Sequence, residues 1–178
     1  MRRPLALLLL ASSVGCAGNR DPDIALLASS SDQIIWEAAQ EAARSRNWEA
    51  ARQYFRRIID GFPQSQYGPG ARLGLADSYF TQGGVGNEIL AVATYREFLT
   101  LYPSHPRADY AQFMLAESQF AQTHSPDRDQ TPTRLALEEY NRLLDLHPSS
   151  PYIETSRARI KACRQSLARS NFLVGVFY

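Results

Sequence analysis

Lysine is nearly missing from this chain of 178 residues: eighteen of its nineteen basic residues are arginine, and Lys161 stands alone. Arginine suits planar, two-pronged contacts with carboxylates, although a genome rich in arginine codons gives the same count. Cysteine is scarce, with Cys16 and Cys163 only, which excludes a small fold stapled by disulfides. Net charge is only +1, so nothing in the overall balance calls for nucleic acid or an acidic polymer as partner. No apolar run approaches the roughly 20 residues of a membrane-spanning helix. HExxH, CxxC, GxSxG and phosphate-loop patterns are absent. His105, His124 and His147 form no ligand set, so no enzyme, metal or cofactor is expected. Asp127 and Asp129 are neighbouring loop carboxylates without further oxygen ligands, and Arg128 between them is expected to pair with them in a turn. Strand-type alternation is essentially missing as well.

What is present begins with an export signal. Arg2 and Arg3 precede an apolar stretch, Pro4 to Ala11, and then the small residues Ser12, Ser13, Val14 and Gly15. Small residues just before Cys16 resemble a bacterial lipobox; ordinary cleavage nearby, for example after Ala17, is the alternative. The resemblance implies removal of residues 1–15 and acylation of Cys16. Several acyl chains anchor stably where one is marginal. Ala17, rather than Asp, then implies the periplasmic face of the outer membrane. Residues 16–31, with Gly, Asn, Asp, Pro and a serine run, read as a flexible tether.

After residue 32 a repeat takes over. Pro63, Pro103 and Pro148 close three similar stretches. Counting back from each, Phe55, Tyr95 and Tyr140 stand eight residues before, Ala51, Ala91 and Ala136 twelve, and Ile58, Phe98 and Leu143 five. Spacings of three and four place them on one helical face. LADSYF at 75–80 returns as LAESQF at 115–120, with Ala39 in the place of Ala76 and Ala116. Ser65 and Ser150 after the prolines are N-cap candidates with His105 between them in register, and Pro106 and Pro151 fit a first helical turn. Helices are predicted over 32–45, 48–61, 65–82, 87–101, 106–122, 131–146 and 151–169. Cys163 is expected as a small buried residue within the last.

Small residues, late aromatics and a closing proline at a period near 34 residues look like tetratricopeptide repeats. The expected fold is all-α, a helix-turn-helix solenoid of about three and a half repeats, divided 32–64, 65–104, 105–149 and a partial 150–178. Insertions near 83–87 and 123–130 fall in turns, where such stacks tolerate them. The concave face is expected to carry Trp36, Gln40, Arg44, Asp77, Phe80, Tyr110, Glu117 and Phe120, a groove suited to an extended peptide or a partner helix. Helical spacing alone leaves open whether each aromatic lines that groove or packs between units. Arg157, Arg159, Lys161, Arg164 and Arg169 lie in a stretch, 155–178, that has no acid. It reads as a solvated helix with cations toward its C-terminal half, or as a docking face for an acidic partner.

Three stretches add a more specific likeness: YFRRIIDGFPQSQYGPGARLGLADSYF (54–80), LYPSHPRADYAQFMLAES (101–118) and ALEEYNRLLDLHPSSPY (136–152). With the loop Asp127, Arg128, Asp129 and Gln130, they resemble the YfiO/ComL (BamD) family of outer-membrane assembly lipoproteins over roughly residues 32–178. The resemblance implies a non-enzymatic scaffold of the barrel assembly (BAM) complex. Its implied partners are the periplasmic domains of a BamA-like barrel subunit, other BAM lipoproteins and C-termini of unfolded barrel proteins. Aromatic pockets at Trp36, Phe80, Tyr110 and Phe120 would take the aromatic ends of barrel strands, and Arg44 a terminal carboxylate. The family has about five repeats, so the fourth unit here reads as interrupted. The alternative is a different periplasmic repeat lipoprotein, an adaptor for Tol–Pal and cell division, peptidoglycan or pili.

Overall fold

The computed structural model describes residues 31–177. Within them lie seven α-helices: α1 (Asp32–Arg44), α2 (Trp48–Gly61), α3 (Gly68–Gln82), α4 (Val85–Leu101), α5 (Ala108–Ala121), α6 (Thr131–Leu146) and α7 (Ile153–Phe177). No strand occurs among the described residues. The signal, Cys16 and the tether up to residue 30 fall outside them. None of the described helices is long and apolar enough to cross a membrane.

Each helix packs on the next in chain order, and α1 also touches α3. This is the stacking of a helical solenoid. The repeat positions form its core. Ala39, Ala76 and Ala116 on the first helices are fully buried, as are Ala51, Ala91 and Ala136 on the second helices. A methyl group at each crossing lets the helices approach closely. Phe55, Tyr95 and Tyr140 fill the space beyond, with Ile58, Phe98 and Leu143 fully buried one turn on. Each such large side chain contributes about 1.5–3 kcal/mol on burial. Cys163 is buried as expected, and burial pushes its thiol pKa up.

Helix starts differ from expectation after the prolines. α3, α5 and α7 begin at Gly68, Ala108 and Ile153, so Pro106 and Pro151 lie in the preceding turns instead of a first helical turn. Ser65 and Ser150 do not cap these helices. Their hydroxyls accept from the N–H of Tyr67 at 3.1 Å and Tyr152 at 3.3 Å. They donate to Asp32 Oδ2 at 2.6 Å and Asp109 Oδ2 at 2.8 Å. A serine held by a carboxylate on the preceding unit favours a local turn over a cap. The middle turn places His105 there, whose Nδ1 accepts from the Arg107 N–H at 3.1 Å.

α4 begins two residues earlier than expected because Gly83 and Gly84, at φ +71° and +89°, reverse the chain in minimal length. α7 runs eight residues further than expected, to Phe177; it contains no proline, and glycine only at 175.

Candidate functional site

The eight residues expected on the concave face differ in what they meet. Trp36 is a half-buried wedge between the first two units. Its ring stacks on Tyr67, with centroids 5.5 Å apart, and tilts against Phe55 at 5.9 Å. Gly70 is the space it uses: a Cβ there would stand 2.8 Å from the Trp36 ring. Gln40 is half-buried, whereas Arg44 is exposed, its Nη2 2.8 Å from Glu41 Oε2 on the same helix.

Asp77 belongs to a three-residue knot. Its Oδ1 accepts from the hydroxyls of Tyr95 at 2.6 Å and Tyr110 at 2.8 Å, joining α3, α4 and α5. Burial pushes its carboxyl pKa up, against the opposing effect of the two tyrosine hydrogen bonds. Burial and the adjacent carboxylate push both tyrosine pKa values up. The Arg107 guanidinium lies 4.4 Å from the centroid of the Tyr110 ring.

Glu117 occupies the matching place one unit on. It accepts from the Tyr140 hydroxyl. Arg159 of α7 forks onto it, Nε to Oε1 at 2.8 Å and Nη2 to Oε2 at 3.0 Å. The same guanidinium lies 4.5 Å from the Phe120 ring centroid. Phe80 and Phe120 are half-buried against the packed core. Among the proposed aromatic pockets, therefore, the rings themselves fill the spaces between units.

The hydroxyl–carboxylate pairs went unread in the sequence, yet a signal was there. In register, Gln40 faces a unit whose aromatic is Phe55, Asp77 one with Tyr95, and Glu117 one with Tyr140. The acid occurs where the ring carries a hydroxyl.

The family-like loop also differs in detail. No ion pair forms at Arg128 among the described residues, so the expected Arg128 bridge is not what holds the turn. Asp129 Oδ1 instead accepts from the Thr131 N–H at 2.9 Å and hydroxyl at 2.8 Å, opening α6. These bonds lower its pKa, and a Ser125 bond lowers that of Asp127. Buried Gln130 donates to the Ser125 carbonyl at 2.9 Å and the Arg128 carbonyl at 3.1 Å. Its Oε1 accepts from Thr133 and from Ser166 of α7, both at 3.0 Å. The loop thus fastens α7 to α6.

The basic residues of α7 divide into two faces. Arg159 points inward to Glu117, while Arg157, Lys161 and Arg164 are exposed. Arg157 pairs with Glu154 of its own helix at 2.8 Å. With Leu144, Ile160 and Ala168 these three line an open groove between α6 and α7. No group of three or more metal-ligating side chains converges among the described residues.

Stacked helix pairs with small residues at the crossings define a tetratricopeptide-type solenoid. The first such domain of human RPAP3 shares the fold, with a TM-score of 0.57 at 17% identity over 79% of this chain and 94% of that one. The family model YfiO, outer membrane lipoprotein, matches residues 28–178. The chain belongs to the YfiO family. It is 26% identical to the outer membrane protein assembly factor BamD of Caulobacter vibrioides, over 97% of this chain and 56% of that protein. Against BamD of Vibrio cholerae it is also 26% identical, over 97% of this chain and 73% of the relative. BamD of Neisseria gonorrhoeae is 23% identical, over 96% and 66%. The chain spans little more than half the length of the Caulobacter relative.

Proposed function

We propose that this protein is a non-enzymatic scaffold in the assembly of β-barrel proteins at the outer membrane, held to the periplasmic face by lipid on Cys16. The observation that carries the reading is the family match across every described helix. Relatives named as assembly factors support it. Its partners are then a BamA-like barrel subunit, other lipoproteins of the same complex and the C-termini of unfolded barrel proteins.

The surroundings of the candidate residues support a division of roles among them. Trp36, Asp77, Tyr110, Glu117 and Phe120 are engaged between units, so their part is to hold the curvature of the concave face. Arg44 is exposed, and its Glu41 partner is equally accessible. A surface pair of this kind is worth little, so a peptide carboxylate exchanges with Glu41 at small cost. Arg44 is the position proposed to contact a barrel C-terminus.

The test is purification from detergent-solubilised outer membrane, with crosslinking to a barrel C-terminal peptide. Recovery of the barrel-assembly subunit is expected. Recovery of Tol–Pal or pilus components instead would replace the reading with an adaptor function. Arg44→Glu should weaken the peptide crosslink without changing the melting temperature; an unchanged crosslink removes Arg44 from the contact.

A further inference from the structure

The turns between units lie together at one end of the solenoid. Consecutive helices fold back on one another, so α2, α4 and α6 finish where α3, α5 and α7 begin. The start of α1 joins this end, because Asp32 Oδ2 accepts from the Ser65 hydroxyl of the first turn at 2.6 Å. The second and third turns sit side by side: His105 and Asp109 share a small cavity with Leu146, His147 and Ser150. Two residues before the repeat prolines stand Gly61, Leu101 and Leu146. Both leucines are open, at 49% and 63% exposure. Leu101 stays open with helices packed before and after its own unit, so the exposure belongs to the turn itself.

Ile34, in the first turn of α1, is 47% exposed at the same end. Pro63, Pro103 and Pro148 are exposed beside the leucines, and Phe62 and Tyr102 are half-buried. A single exposed leucine is ordinary; here one register position is apolar and open in two successive turns. The exposed acids Asp60 and Asp145 stand one position earlier, about 100° round their helices, and Arg107 is an exposed cation of the second turn. The opposite end, where the turns within units lie, exposes Arg44, Arg46, Asp127, Arg128 and Asp129.

We propose that the end bearing the turns between units lies against the phospholipid surface that holds Cys16, with Leu101, Leu146 and Ile34 among the lipid headgroups. Chain length selects this occupant. Fourteen residues, 17–30, separate Cys16 from Ser31, a reach of at most about 50 Å. They join the solenoid at this end, ahead of α1. The charged end lies a further helix length away, about 25 Å for α4. An acylated Cys16 therefore brings the bilayer first to the turns between units. Half-exposed leucines bind a membrane weakly alone, but beside an anchor each adds to a contact already made. The inference rests on the acylation of Cys16 in the proposed function.

The test uses the lipidated protein in vesicles of phosphatidylethanolamine and phosphatidylglycerol, with nitroxide labels read by their relaxation in oxygen and in a water-soluble nickel chelate. Ser104→Cys and Ser149→Cys carry labels at the tips of the second and third turns, and Thr81→Cys and Arg128→Cys carry them at the opposite end; all four positions are exposed, and buried Cys163 stays unlabelled. Labels at 104 and 149 should favour oxygen over the chelate several-fold more than labels at 81 and 128. Adding Leu101→Asp/Leu146→Asp should return the labels at 104 and 149 to water, with helicity unchanged; if that pair melts early, Leu101→Ser/Leu146→Ser takes its place. Water-exposed labels at the turns, equal burial at both ends, or labels indifferent to the leucine changes overturn the proposal. So does burial of the turn labels in detergent without vesicles, because a second copy then covers the leucines. Mass spectrometry of the mature chain separates the two readings. An acylated Cys16 with turn labels in water refutes this orientation and keeps the anchor, whereas an unacylated Cys16 refutes both.

Discussion

Arg159 of α7 and Glu117 of α5 lie 42 residues apart in the chain and meet through two parallel hydrogen bonds, at 2.8 and 3.0 Å. The pair ties the fourth unit to the third. Glu117 is mostly sheltered, and its remaining capacity goes to the Tyr140 hydroxyl. Paired guanidinium and carboxylate planes fix an angle as well as a distance.

Breaking this pair should loosen α7. Arg159→Ala should cost about 1–3 kcal/mol in urea unfolding. Arg159→Lys should recover little, because an ammonium cannot make the fork. Glu117→Ala should cost at least as much, since it leaves both Arg159 and the Tyr140 hydroxyl without an acceptor. A loss within error for both alanine variants would show the pair to be ornamental.

Asp77 gives a pH signature. Its folded pKa is raised from the ordinary 3.8 by burial, so the folded state holds the proton more readily than the unfolded chain. That contribution is full below the unfolded value and is lost as pH rises through the folded one. The stability of the parent relative to Asp77→Asn should therefore grow as pH falls through the window just above 3.8. Chemical denaturation of both proteins across that range measures it; a flat difference contradicts the burial.

Ser65 with Asp32, and Ser150 with Asp109, are two copies of one fastening between a turn and the preceding first helix. Double-mutant cycles with alanine should return a coupling of about 1 kcal/mol for each pair. Ser65 with Asp109 should show none, because those residues share no contact. Equal coupling across all combinations would mean a general effect on the fold.

Gly74 marks a close helix approach. A Cβ there would lie 2.4 Å from Phe55 Cζ, and the Phe55 ring is buried. Alanine in a helix normally gains about 1 kcal/mol over glycine, but Gly74→Ala should destabilise by about 1–3 kcal/mol through overpacking. Adding Phe55→Leu should recover part of the loss. A thermal melt above that of the parent would place the Phe55 ring elsewhere.

Much of the fold was legible along the chain. Alanines and aromatics at fixed distances from three prolines gave seven helices and their buried stripes, because spacings of three and four select one side of a helix without reference to any neighbour. Helix starts were less legible. Ser65 and Ser150 look like caps locally, and only the aspartate of the preceding first helix turns them into part of a loop. The groove was least legible. Trp36, Asp77 and Glu117 fell on the correct helices, but helical spacing could not show that their partners are Tyr67, Tyr95 and Tyr140.

The amino-acid sequence by itself determined the repeat, the all-helical class and the family, since these reside in local periodicity and register. Tertiary structure alone decided which polar side chains are engaged between units and which stay exposed. Arg159 and Arg157 differ by two positions on one helix, which is enough to point one at Glu117 and leave the other at the open groove. A helix fixes the angles of its side chains about its own axis. What each side chain meets is set by how the helices stack, and that depends on atoms tens of residues away.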